Sequence, residues 1–509
     1  MTQTPRTPTV DDPFAAARFD FRSPVPSAAD LGHVHFLAIG GAGMSGVARI
    51  MLARGIRVTG SDAKDVPVLK ALESEGAGVW VGFHEGHQER ADAIVMSSSI
   101  RDDNVELVAA RERGVPVLHR AQGLAALMQG RRPVAVAGAN GKTTTTSMLT
   151  VALQGCGLDP SFAVGGELAK HGTNAHDGSD DVFVVEADES DGSFVVYGPE
   201  VAIVTNVQPD HLDFYSNFNV VQAAYDAFVA TIRPDGLLVT CADDPGAVAL
   251  AERARAAGTR VLTYGFDPGS DVVLGSHQQD GVTSSVRLLD RLVQPEAGAD
   301  GGGGESVDPA PERRLTLGVP GRHNALNAAA AYVAAVHGLG QEPDRVIAGL
   351  ASFTGTRRRF EPKGEAGGIV VVDDYAHNAG KVAAVVETAK ALVGDAGRLV
   401  VVFQPHLYSR TRDFAAELGA GLSPADVVVV MDVYAAREDP VPGVSGRLVA
   451  DAVTAARSEV DVRYVPSWSD VAGLVANLAR PGDLVLTVGA GDVTMVGPEV
   501  LRILEGEAP

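Results

Sequence analysis

The sequence predicts an α/β protein made of three successive α/β units, and three observations carry that prediction. Short apolar runs such as VHFLAIG, VAVAG and RLVVVFQP recur along the chain with the brevity of buried strands. Stretches with helical periodicity separate them, the order that builds a parallel sheet with helices on its faces. Several of the runs end in glycine turns or polar clusters, and open parallel sheets hold their ligands at those C-terminal strand ends. At 509 residues the chain exceeds one ordinary core, so several domains are expected. Its 45% hydrophobic content is that of a globular protein, and its 58 glycines and 28 prolines imply many turns.

Residues 1–31, rich in Pro, Thr, Ser and Asp, read as a disordered tail. From His33 the pattern changes to strand, glycine turn and helix (VHFLAIG, GAGMSG, VARIMLARG), with IRVTGSD, GVWVG and AIVMSSS as further strands. These make a small parallel α/β domain over residues 32–130. A central domain over 131–352 opens with VAVAGANGKTTTTSML and continues through the strands FVVEAD, VAIVTNV, GLLVTC and VLTYGF. The low-complexity run QPEAGADGGGGESVDPAPE, about 294–312, reads as a flexible insertion in it. The third domain, 353–509, carries the strands GIVVVDDY, RLVVVFQP, DVVVVMDV and DLVLTVGAGD, with helices between them.

The net charge of −22 argues against general nucleic-acid binding. Such a chain must hold a phosphate with local amides, a few basic side chains and Mg2+. No charge-free apolar run is long enough to span a bilayer, and the opening MTQTPRTPTVDDPF lacks the apolar core of a signal peptide. Cys156 and Cys241 are the only cysteines, which excludes a disulfide framework and a cysteine zinc site. A cytoplasmic protein without membrane insertion is therefore expected.

The strongest motif is Gly138-Ala139-Asn140-Gly141-Lys142-Thr143-Thr144, a glycine-rich passage from an apolar strand into a helix. Backbone N–H groups at such a helix start point at an anion. Lys142 supplies a point charge for phosphate oxygens, and Thr143 a hydroxyl for Mg2+. The full pattern would have glycine where Val136 stands, so only the shorter form is present. Gly41, Gly43 and Gly46, with Met44 and Ser45 between them, form a second glycine loop after a strand, and Asp62 ends the next strand. That pattern suits a dinucleotide or the diphosphate of another nucleotide.

Four carboxylates, Glu186, Asp188, Glu189 and Asp191, come after the apolar run Val184-Val185. Glu186 is the candidate for a Mg2+ shell beside the phosphate loop, while Asp188, Glu189 and Asp191 read mostly as a solvated loop. His211, in TNVQPDHLD, suits a second cation, a substrate carboxylate or a structural hydrogen bond to an adjacent Asp. Asn324 opens an alanine-rich helix, where it either caps or binds. Arg357, Arg358 and Arg359 suit phosphoryl oxygens or a charged surface. Asp374, Tyr375, His377 and Arg410 lie at strand ends of the third unit, fit to line a cleft.

Taken in order, IGGAGMSG, GKTTTT, EADESDGSF, TNVQPDHLD, PGRHNALNAAAA, RRRFE, DDYAH, FQPHLYSRT and GAGD resemble the motif series of the Mur ligase family, over about residues 32–500. The resemblance implies a Rossmann-like N-terminal domain for a UDP-sugar, a central P-loop ATPase domain and a Rossmann-like C-terminal domain for the amino acid. The branch it resembles joins L-alanine to UDP-N-acetylmuramate in peptidoglycan synthesis, using ATP and Mg2+, as a monomer or homodimer. It implies Lys142, His211 and Arg410 as catalytic residues, and Thr143, Glu186 and His211 as metal ligands. Gly138–Thr144, Asn324, Arg358 or Arg359 and Asp374 are implied for ATP. Gly41, Gly43, Met44, Ser45, Gly46 and Asp62 are implied for the UDP-sugar, and Tyr375, His377 and Arg410 for alanine.

The chain departs from the family's usual residues at three places. Ala139-Asn140 stands for Thr-His before the Gly-Lys-Thr, Gln208 for a Glu, and Asn378-Ala379-Gly380-Lys381 for His-Pro-Thr-Glu. The first two imply weaker ATP or Mg2+ affinity, with a gain in turnover when Asn140→His and Gln208→Glu are made. The third raises the alternative of another amino acid or a peptide as acceptor, and all three together that of a weakened nucleotide-binding regulator.

Overall fold

The computed structural model describes residues 12–168, 172–293, 312–394, 397–436 and 438–506. Packing divides them into two compact units. The first runs to Thr354 and the second from Gly355, with Asp280–Val282 and Val319–Gly321 belonging to the second.

The first unit holds two sheets. A five-stranded parallel sheet runs in the order Gly78–Val81, Val58–Asp62, Val34–Leu37, Ala93–Met96, Val117–His119. Val34–Leu37 is buried along its length because helices cover both faces, which is why it reads as a continuous apolar run. Strand order reverses beside it, so the ends of Val34–Leu37 and Ala93–Met96 flank a crevice of the kind that takes ligands.

The second sheet has ten strands, with Arg132–Ala137 between Val201–Val204 and Val182–Glu186, all three parallel. Its edges are antiparallel: Ser161–Leu168 pairs with Thr173–His176, and Thr283–Asp290 with Glu312–Leu317. Ser161–Leu168, Thr173–His176, Val272–Asp280 and Thr283–Asp290 were not expected from the sequence. In Val272–Asp280 (VVLGSHQQD) only alternate residues toward one end are buried, so no apolar run marks it.

The second unit is a six-stranded sheet in the order Glu361–Ala366, Ile369–Asp374, Leu484–Val488, Leu399–Phe403, Val427–Val430, Asp461–Tyr464. The first pair is antiparallel and the others parallel. The two edge strands, largely polar, are the ones the sequence did not announce.

Two expectations bear on segments outside these sheets. Residues 12–31 are not a loose tail. Phe21 is buried, and the rings of Phe19 and Phe21 lie 5.2 and 5.3 Å from His119. Arg18 donates to the Ile100 carbonyl at 2.6 Å and pairs with Asp102. Three phenylalanines among the prolines and aspartates supply enough apolar surface to dock the segment. Residues 1–11 of the expected tail, and 294–311 of the expected insertion, lie outside the described residues. Among the described residues no helix is long and apolar enough to cross a membrane.

Candidate active site

The phosphate loop begins where Arg132–Ala137 leaves its sheet. Gly138 and Gly141 have φ of 133° and 87°, which glycine adopts without strain. Each is also crowded: a Cβ at Gly141 would stand 2.5 Å from Asn327 Oδ1, and one at Gly138 would strike the Thr205 hydroxyl. Helix Lys142–Gly155 starts at once, with Gly141 at its N-cap. Lys142 Nζ donates to the Gly138 carbonyl and to Glu189 Oε1, both at 2.8 Å. Burial alone would lower the lysine's pKa, but Glu189 and Asp188 outweigh it and the ammonium is held charged. Thr143 Oγ1 donates to Glu186 Oε1 at 2.9 Å, and the other oxygen of Glu186 accepts from Gly165 N at 2.6 Å. Ala139 is buried, and Thr144 is half-buried in the first turn.

Glu189 Oε2 is buried with no hydrogen-bond partner among the described residues. With the Thr143 hydroxyl and Glu186 it makes a set of hard oxygen donors around the helix start, which suits Mg2+. Among the described residues no three His, Cys, Asp or Glu side chains form a metal site by themselves, so phosphate oxygens and water would complete the shell.

The neighbouring segment after Val201–Val204 clamps the loop. Thr205 Oγ1 and Asn206 Nδ2 donate to the Asn140 carbonyl at 2.6 and 2.9 Å, and Asn140 N donates to Asn206 Oδ1. Asn140 Nδ2 donates to Gln208 Oε1 at 3.0 Å, and Gln208 Nε2 to Asp244 Oδ2 at 3.0 Å. Two departures from the usual family residues are therefore bonded to each other. Asp244, which the sequence reading missed, also caps helix Pro245–Ala256 through Ala247 N at 2.8 Å. An Asp directly before a Pro is the signal that would have marked it.

His211 has φ of 53°, and its Nε2 lies 3.6 Å from Glu189 and 3.8 Å from Asp210. The acidic loop is not solvated, as three of its four carboxylates were expected to be. Glu189 pairs with Lys142, Asp188 lies 3.4 Å from Arg120, and Asp191 accepts from Ser98 at 2.7 Å and sits 3.2 Å from His119. His119, Ser98 and neighbouring groups hold the Asp191 carboxyl far below its ordinary range against the cost of burial. Partners contributed from other elements account for the difference. On the far side of the loop, Asn327 Nδ2 donates to Asn324 Oδ1 at 3.3 Å, which ties Asn324 to the residue crowding Gly141. Arg322 lies 3.9 Å over the Phe266 ring, and burial drives His323 down to about 4.

In the five-stranded sheet, Gly41 caps helix Ala42–Ala53. Asp62 Oδ2 accepts from Gly40 N at 2.8 Å, so it braces the glycine turn. Met44 is in the core, and Ser45 Oγ donates back to the Ala42 carbonyl at 3.1 Å. What these two residues present at the helix start is backbone. Gly46 packs on Ala175 of the second sheet, and Asn174 donates to the Ala42 carbonyl at 2.7 Å.

In the second unit, Asp374 accepts from Phe360 N and Ala376 N at 2.8 and 2.7 Å, and burial raises its pKa against the pull of Arg359. Arg358 and Arg359 lie 4.8 and 5.4 Å over the Tyr375 ring, and Arg358 also donates to the Gly489 carbonyl. His377 packs edge-on to Tyr375 and to His406. Burial, then Lys381 and Arg410, push its pKa well below the ordinary value. Tyr434 and Glu438 join this cluster through His406 and Ser409, and no motif announced them.

Three family models match in succession: "Mur ligase family, catalytic domain" over 33–132, "Mur ligase middle domain" over 136–335 and "Mur ligase, glutamate ligase domain" over 358–491. The chain belongs to the Mur ligase family. Two Mur ligases described as UDP-N-acetylmuramate-L-alanine ligases are half identical to it. That of Kineococcus radiotolerans is 54% identical, covering 94% of this chain and 98% of its own. That of Mycobacterium tuberculosis is 51% identical, covering 94% and 96%. Among solved Mur ligases, the UDP-N-acetylmuramate-alanine ligase of Thermotoga maritima superposes with a TM-score of 0.76 at 26% identity, covering 93% of this chain and 99% of that one. A murein peptide ligase of Psychrobacter arcticus superposes at 0.69 with 25% identity, covering 94% and 100%.

Proposed function

We propose that this chain joins L-alanine to the lactyl carboxylate of UDP-N-acetylmuramate, cleaving ATP to ADP and phosphate, in peptidoglycan precursor synthesis. The observation that carries the reading is likeness to alanine ligases at half identity over nearly the whole chain. The phosphate loop keeps its lysine, its threonine and their carboxylate partners. Among the solved relatives the alanine ligase superposes better than the murein peptide ligase, with a TM-score of 0.76 against 0.69, which favours alanine over a peptide as the amine.

A carboxylate has no leaving group on its carbon and must be activated. One of its oxygens attacks the γ-phosphorus, the bond to the β–γ bridging oxygen breaks, and ADP leaves an acyl phosphate behind. The neutral α-amine attacks the acyl carbon; the tetrahedral adduct then expels phosphate with the C–O electron pair, and the nitrogen loses a proton as the amide forms. Both steps bring anions together, so alignment and charge neutralisation are what the protein must supply.

The amides of Gly138–Thr144 and the Lys142 ammonium suit the β- and γ-phosphates, and Asn324 the adenine-ribose part. Mg2+ held by Thr143, Glu186 and the open oxygen of Glu189 would neutralise phosphate charge. His211, beside Glu189, suits a second cation or the substrate carboxylate. Arg359 suits phosphate, Arg410 the alanine carboxylate, and the glycine loop at 41–46 the UDP diphosphate. His377 Nδ1 lies 2.9 Å from the Tyr375 carbonyl, which can only accept, so Nδ1 carries the proton and Nε2 is left basic. It can relay the proton that the alanine ammonium must lose, since its depressed pKa makes it give that proton up again at once. The site serves cytoplasmic substrates.

Release of ADP by the purified protein, with ATP, Mg2+, UDP-N-acetylmuramate and L-alanine each omitted in turn, tests the reading. Release that needs all four supports it. ATP binding without any release would replace it with the regulator alternative, and release with a peptide in place of alanine with the paralogue.

A further inference from the structure

The acidic loop and the glycine loop meet at one side chain. Arg120 is the first residue of helix Arg120–Met128, and its guanidinium lies directly on Gly43. A Cβ at Gly43 would collide with Nη1 and stand 3.0 Å from Cδ. On its other side, Nη2 reaches Asp188 at 3.4 Å, a long contact and the one hydrogen bond found for this guanidinium among the described residues. A guanidinium has five N–H donors in a planar fork. Most of them are thus uncommitted beside the start of helix Ala42–Ala53, where backbone N–H groups and the helix dipole already favour an anion.

The surrounding charge makes this cation necessary. Asp188, Asp191 and Glu186 all act on the half-buried Arg120 and oppose the desolvation of its guanidinium. An anion on the glycine loop would otherwise face those carboxylates at short range, in a chain of net charge −22.

We infer that Arg120 is a further substrate-holding residue: its fork takes a diphosphate oxygen of the nucleotide sugar on the glycine loop, and Asp188 holds it aimed there. The inference rests on the nucleotide-sugar reading of that loop. It also gives the acidic loop a second task, since the segment that carries Glu186 and Glu189 to the phosphate site steers the cation that holds the other substrate.

The test compares the full-length protein with Arg120→Ala and Arg120→Lys, measuring Kd for UDP and for uridine by calorimetry or ligand-observed NMR, and KM for each substrate. A charge-assisted contact predicts UDP affinity lower by about ten- to a hundredfold in Arg120→Ala and by less in Arg120→Lys. Uridine affinity should stay within twofold, and KM should rise for the nucleotide sugar but not for ATP or alanine. Equal loss of UDP and uridine would mean a structural role and overturn the inference, as would unchanged UDP binding. Unchanged UDP binding with weakened UDP-N-acetylmuramate would move Arg120 to the carboxylate and overturn the diphosphate assignment. If Arg120→Ala does not fold, Arg120→Gln carries the same comparison. Neither Kd needs turnover, so wild-type protein that binds UDP but releases no ADP refutes the ligase reading alone, whereas wild-type protein that binds no UDP refutes this one.

Discussion

Changing Gln208 to Glu, the residue usual in the family, should destabilise this protein. The Gln208 amide donates to Asp244 Oδ2 at 3.0 Å while its oxygen accepts from Asn140. A glutamate keeps the acceptor and loses the donor, so two carboxylates face each other. Asp244 cannot easily swing away, because its other oxygen accepts from Val207 N and Ala247 N at 3.0 and 2.8 Å. Two unit charges at that separation repel by about 5 kcal/mol at an effective dielectric near 20. Position 208 is exposed, and solvent screening brings this to about 1 kcal/mol. The lost hydrogen bond adds about 1 kcal/mol. The total of about 2 kcal/mol corresponds to a fall of roughly 4 °C in the Tm of the first unit. Mg2+ should reverse part of the loss by occupying the new pair. Differential scanning calorimetry with and without Mg2+ reads both effects, and ATP titration reads the consequence for the loop. Adding Asn140→His to Gln208→Glu should recover about 1 kcal/mol as a coupling energy, since an imidazolium would give the new carboxylate a positive charge where Asn140 gives only a neutral donor. The benefit expected from either single reversion belongs instead to the pair. A Gln208→Glu protein as stable as the parent without Mg2+ would refute this reasoning.

Three more outcomes follow from the same geometry. Lys142→Met should lower kcat for ADP release at least a hundredfold. It should also destabilise by about 3 kcal/mol, by leaving Glu189 buried and unpaired, and Lys142→Met/Glu189→Gln should recover stability in urea titrations but not activity. Because His377 is held neutral, kcat/KM for alanine should stay level on acidification to pH 6.5 and fall only well below it. The unfolded imidazole takes its proton first, so stability too should decline as pH falls below about 6.5. Lys381→Met removes a cation that opposes protonation and should move the acid limb of the rate profile upward. Phe21→Ala should cost about 3 kcal/mol, read as a lower Tm, because the ring is buried against the five-stranded sheet; an unchanged Tm would return residues 12–31 to the status of a tail.

Much of the candidate site was legible because its parts are local in sequence. A glycine turn with Lys142 and Thr143 is contained in seven residues, and the order of motifs in the chain needs no contact map. Edge strands were not legible: Thr173–His176 and Asp461–Tyr464 are each held by backbone pairing to one neighbour and carry no apolar run. Asp188, Glu189 and Asp191 read as solvated acids because nothing nearby in sequence pairs with them. Their partners sit 47 to 72 residues away at Lys142, Arg120 and His119.

By itself, then, the sequence determined the α/β class, the strands that are buried on both faces, and which short segments bear phosphate chemistry. Those properties depend on hydrophobic runs and on backbone geometry within a few residues. Only the tertiary structure decided which side chains face one another: that Asn140 and Gln208 form one hydrogen-bonded pair anchored on Asp244, that residues 12–31 dock, and that Arg120 lies between Gly43 and Asp188. Electrostatic and hydrogen-bond energies fall off over a few ångströms of space, and distance along the chain does not report that separation.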